Sequence, residues 1–360
     1  MATSFRRVDP ASLEYGEFAR LYGIAKAMRP SSRDGWNGEL YARDDRVWGS
    51  VNPMSGAISL NQTTVLPYLT GRASAENADE QAQALQTVLP ETFHQRVETD
   101  AATEPNAFRG PASKALDEGL TEYQAGSDVT AFAELAGYGA LESDEHAYPG
   151  AHEATTQLLD YSVGRDGDRD TLAQRALDQP VVMRWDAIAG EIVKNKLTDV
   201  VPDDPRHQQA ARAVLIRAMV HSGWQGLEDG DRVEGQWAAY HSRLRLDAAI
   251  QDISQHYAAA PAEPYPAAPP NPAAAAERGV EPSSTAQVIQ PNAPDQHGRR
   301  VEPSSSQEPS IDPAMRAALS GTAPAASATA FAPNLGNGAR GAGRHGVPDR
   351  GLGPGSRGGR

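Results

Sequence analysis

Leu85-Gln86-Thr87-Val88-Leu89-Pro90-Glu91-Thr92-Phe93-His94 and, further on, Asp117-Glu118-Gly119-Leu120-Thr121-Glu122-Tyr123 are the two stretches from which the fold is read. Ala82, Leu85, Leu89 and Phe93 recur on one helical face, which predicts a helix resuming at about residue 75 and running through 98 with one buried side. Pro90 sits inside that run. It removes a backbone donor and costs roughly 3 kcal/mol in a helix interior, so a kink or a restart is expected there. The second stretch falls on a helix over residues 112–124, closed by Gly126.

Working outward, residues 10–28 read as a first helix, with Asp9 as N-cap and Pro10 at the first helical position. Two extended runs, 46–51 and 57–60, flank Asn52-Pro53-Met54-Ser55-Gly56, which is turn chemistry for a hairpin. No other β-structure is expected. Beyond the second stretch, helices are predicted over about 129–140, 152–163, 171–196 with a break at Pro180, 206–221 and 232–257. The expected fold class is therefore mainly α with a small β-hairpin or sheet.

Composition divides the 360 residues unevenly. Sixteen of the 27 prolines follow Tyr257, and the sequence from Ala258 is rich in Pro, Ala, Ser and Gly, with a Gly/Arg-rich end. Such a segment cannot bury enough apolar surface to pack, so residues 1–257 are the expected globular domain and 258–360 a disordered tail. The tail carries nine Lys/Arg and eight Asp/Glu, which leaves 24 basic and 39 acidic residues in front. That excess repels polyanions, so nucleic acid is not an expected partner of the globular part; the Gly/Arg-rich end is read as a flexible terminus or as a weak, salt-sensitive contact for an anionic surface or nucleic acid. No cysteine is present, which leaves His, Asp and Glu as metal-ligand types. With no signal-like or membrane-spanning apolar run, the expected compartment is the cytoplasm, and export without a cleaved signal stays open.

Leu89-Pro90-Glu91-Thr92-Phe93-His94-Gln95 resembles the active-site helix of zincin-like, gluzincin-type zinc metallopeptidases, whose H-E-x-x-H motif here begins with proline. Asp117-Glu118-Gly119-Leu120-Thr121-Glu122 resembles the third-ligand helix, 23 residues after His94. The resemblance covers roughly residues 57–164, and the hairpin suits the edge strand that lines such clefts. It implies Glu91 as general base, His94 and Glu118 as zinc ligands, and Tyr148 as a group that helps hold an oxyanion. Proline has no lone pair for a cation. Glu98, one turn beyond His94, is a candidate substitute ligand, and His152 is another if its helix folds back.

Other constellations lack a required part. Glu91-x-x-His94 has no second Glu-x-x-His for a di-iron bundle, and Leu177 falls where a calcium loop starting at Asp166 needs glutamate. The resulting expectation is a metallopeptidase-like protein with an impaired site, zinc as its metal if it holds one, and a cleft that binds polypeptide with little or no hydrolysis. The alternatives are a non-enzymatic helical scaffold or adaptor, and an active zinc peptidase with a substitute ligand.

Overall fold

A computed structural model describes residues 4–31, 33–70, 77–141, 146–165 and 167–272. All of these belong to a unit spanning Met1–Ile289; a second unit, Gln290–Arg360, lies outside the described residues, as does the expected tail from residue 273 onward. The described chain is mainly helical with one small sheet, as its periodicities predict. No helix among these residues is long and apolar enough to cross a membrane.

The sheet has four strands, β1 (Phe5–Arg7), β2 (Leu40–Arg43), β3 (Gly49–Val51) and β4 (Ile58–Asn61), in the order β1-β2-β4-β3. β3 and β4 form the expected antiparallel hairpin, with Val51 opposite Ile58. Its turn closes on Gly56, whose φ of 78° suits glycine and whose missing Cβ leaves room for the Gly35 carbonyl. β4 also pairs in parallel with β2, and β2 pairs antiparallel with β1. These two strands correct the expectation that the hairpin is the only β-structure. They are three and four residues long, too short to show an alternating pattern.

Helix α1 (Leu13–Met28) starts later than expected: Ser12 is its N-cap, accepting from the Tyr15 amide, while Asp9 accepts from Ala11 in the preceding turn. After the short α2 (Leu66–Leu69), α3 (Ala78–His94) runs through Pro90 as one helix, so the expected restart does not occur. It is also buried nearly all round, because α1, α2, α4 and β3 all pack on it. That enclosure offsets the cost of the proline. Helix α4 (Pro111–Leu135) likewise continues past Gly126, merging two expected helices. Glycine costs about 1 kcal/mol in a helix, less than α4 recovers by burying residues on both sides of it.

The remaining helices are α5 (Pro149–Val163), α6 (Arg169–Leu177), α7 (Arg184–Lys196), α8 (Pro205–Met219) and α9 (Arg232–Ala259). A 3-10 turn at Val181–Met183 separates α6 from α7 just after Pro180, where the break is expected. Asp231 and Glu234 form a reciprocal capping box that starts α9. Past α9, Tyr265 donates to Asp252 and Asn271 to the Ala102 and Glu104 carbonyls, so described chain beyond Tyr257 still contacts the helical body.

Two large apolar cores result, beside a small cluster of Ala107, Val182 and Met183. Leu21, Leu40, Leu60, Leu85 and Phe132 belong to one, built on the sheet, α1 and α3. The other holds Leu116, Leu159, Trp185, Trp224 and Leu246 from the later helices. Helix α4 contributes its first half to the later-helix core and its second half to the sheet core. Where it crosses α3, facing β3, the polar residues of both helices collect.

Candidate functional site

Glu91, His94, Glu118 and Tyr148 all line one cavity of about 540 Å³, bounded on one side by Gly49, Ser50 and Val51 of β3. A second cavity, of about 310 Å³, adjoins it and shares Gly49, Glu91, Tyr148, Glu228 and Asp229. Because β3 is the last strand of the sheet among the described residues, its outer edge forms a wall of this cleft. Gly49 lets that wall close on Glu91: a Cβ there would stand 2.5 Å from Glu91 Oε1.

His94, at the C-terminal end of α3, is held between two carboxylates of α4. Its Nδ1 lies 3.2 Å from Asp117 Oδ2 and its Nε2 lies 3.5 Å from Glu118 Oε2. The other oxygen of Asp117 takes the guanidinium of Arg184, which is fully buried. Asp117 is thus fixed from behind and fixes the imidazole in turn. Burial opposes a charge on His94, but the Glu118 hydrogen bond and the charges of Glu118 and Glu91 outweigh it, and its pKa is raised.

Glu91 is buried, and its Oε2 has no hydrogen-bond partner. Burial pushes its carboxyl up to about 8, the charges of Glu118 and Glu122 add to this, and His94 and Arg43 oppose it. Tyr148, the residue before α5, has its hydroxyl pKa raised by burial and by the same three glutamates. The cleft therefore gathers a carboxyl whose protonated form burial favours, an imidazole held between two carboxylates, and a phenol that keeps its proton.

Not every expected residue arrives. Glu98 lies beyond the end of α3, mostly exposed, and pairs with Arg33 at 2.6 Å, so it is not a ligand at this site. The helix simply ends at His94, and the extra turn that would have brought Glu98 round is missing. His152 stacks on His146 at 3.7 Å between ring centroids and does not reach His94's pocket.

Several residues at the site were not singled out from the sequence. Glu122, one turn after Glu118, accepts from the Ala147 amide and Gln86 and stands 3.5 Å from His146 Nδ1. Its spacing on α4 was a usable signal. Glu228 and Asp229 enter from the loop before α9, about 110 residues later, and no local pattern announces them.

The donor set decides what the centre can hold. His94 Nε2 and Glu118 Oε2 are close enough for one ion to touch both, but the position one turn before His94 is Pro90, which has no donor. Among the described residues, no group of three or more His, Asp or Glu side chains is arranged to hold a metal ion. The residues present therefore do not fit a three-ligand catalytic zinc. Compared with protein-family models, with curated proteins and with solved structures, the chain matches none.

Proposed function

We propose that the cleft beside β3 binds an extended polypeptide in a zincin-like arrangement whose hydrolytic centre has lost its first metal ligand at Pro90. What supports this reading is one observation: the outer edge of a strand runs along a cavity into which Glu91, His94, Glu118 and Tyr148 all project. A strand edge presents unpaired backbone N–H and C=O groups, and an extended peptide satisfies them as an added strand. Tyr148, whose hydroxyl keeps its proton, then serves as a hydrogen-bond donor to a carbonyl of the bound chain. With two metal-capable ligands, no water is activated and the peptide is released intact.

The test is capture of peptides from a degenerate nonapeptide library by the full chain, followed by amide hydrogen exchange. Binding should slow exchange at Gly49–Val51. Capture that leaves these amides unchanged would sink the proposed mode.

A second reading, a helical scaffold that docks proteins on its outer surface, draws on α9. There Val233, Trp237, Tyr240 and Leu244 form a half-exposed apolar stripe. Trp237→Ala would abolish binding on that reading and leave it unchanged on the first.

A further inference from the structure

Two carboxylates of the cleft each leave one buried oxygen without a donor. Glu91 and Glu228 line both parts of the cleft, and each has one buried oxygen, Oε2, with no hydrogen-bond partner. The other oxygen of Glu228 is held by Lys114 at 3.1 Å. Asp229 lines the same two cavities, as Glu118 and Glu122 do one cavity each. Among the basic groups nearby, Arg43 is engaged by Asp45 at 2.7 and 2.6 Å and by Ser50, and Arg46 lies on the exposed side. A buried carboxylate oxygen is an acceptor whose desolvation is offset only by a donor, and more so by a charged one.

The geometry points to a subsite in this cleft, formed by Glu91, Glu228 and Asp229, that accepts a lysine or arginine side chain of the bound polypeptide. The inference rests on the peptide-binding reading above and adds the class of chain that is bound. An ammonium or guanidinium supplies several donors and no acceptor, which matches a wall of acceptors. It also brings a positive charge to a carboxyl that burial, with the charges of Glu118 and Glu122, pushes up against the opposing pull of His94 and Arg43. A methionine of similar length would fill the space and leave both oxygens bare. A glutamate would add a like charge.

The experiment uses the full chain and an N-acetylated nonapeptide library on a surface, one position fixed at a time as Lys, Arg, Met, Ala or Glu. Lys and Arg at one position should be retained about tenfold over Met and Ala, with Glu lowest. Glu228→Gln and, separately, Asp229→Asn should keep the Ala-peptide signal and reduce that preference to about threefold or less. Both residues lie on the loop before α9, Asp229 exposed and Glu228 largely buried, and circular dichroism checks that each variant folds. Retention of peptides with no preference for a cation, or a preference unchanged in both variants, overturns the subsite and leaves peptide binding standing. Retention only when the amino terminus is left free assigns the acids to a chain end and overturns the side-chain subsite. If no peptide is retained at all, the peptide-binding reading falls and the subsite falls with it.

Discussion

At His152 burial and a neighbouring imidazole act in the same direction. Burial, then the charge of His146, lowers its pKa to about 4, with Arg232 adding to this and Glu153 opposing it. The unfolded chain takes up a proton near the ordinary value of 6.5, and the folded chain refuses it until about 4. Stability at this residue is therefore full above pH 6.5 and declines as pH falls through that window. The loss should be about 2 kcal/mol between pH 7.5 and 5, and His152→Gln should remove most of it. Urea unfolding at the two pH values reads this directly; equal losses in both proteins would contradict it. Arg184 is a second buried base, a cation held against Asp117. Arg184→Leu leaves that carboxylate without its partner behind His94, and should cost about 3–5 kcal/mol in the same assay.

Among the elements, α4 carries two glycines with opposite surroundings. Gly119 faces α5 so closely that a Cβ would stand 2.1 Å from Thr155 Oγ1 and 2.4 Å from the Ala151 carbonyl. Gly126 has nothing within 4 Å. Alanine is the better helix former at both, yet Gly119→Ala should destabilise by about 1–3 kcal/mol and Gly126→Ala should stabilise by up to about 1 kcal/mol. Thermal denaturation of the pair tests this, and changes of the same sign would show that the α4–α5 crossing is looser than described. The same helix shows what a sequence reveals. The hydrophobic period located α3, α4 and the later helices, because apolar residues recur every three or four positions in each, although α3 is buried well beyond that stripe. Gly126 and Pro90 misled, because their local costs are small beside the burial on either side of them. The strands β1 and β2 were invisible because their pairing is set by partners distant in sequence. At the site, Glu91, His94, Glu118 and Tyr148 were named from a resemblance to the gluzincin pattern, and the fold brings these four to one cavity. Glu98 failed because α3 stops at His94, and Glu228 was unreadable because only tertiary folding brings its loop to the cleft.

Across the whole molecule, the sheet edge, α3, α4 and the loop before α9 meet around a single cleft, and its lining is richer in carboxylates than in cations. Peptide affinity should accordingly weaken with added salt if the bound chain is basic, since much of the pairing is electrostatic. A titration at two ionic strengths gives the answer, and salt-independent binding would argue for backbone contacts alone. The proposed loss of a metal ligand is tested at Pro90, which lines the smaller cavity beside Glu91 and Glu122. Histidine there would bring a third donor toward His94 and Glu118 and would restore the amide that the Gln86 carbonyl lacks. The most direct measurement is zinc content after exhaustive dialysis, for the parent chain and for Pro90→His. The parent should retain none, and Pro90→His about one ion per chain, lost again when His94→Ala is added. Stoichiometric zinc in the parent, or no gain in Pro90→His, would contradict a zincin-like centre disabled at that one residue.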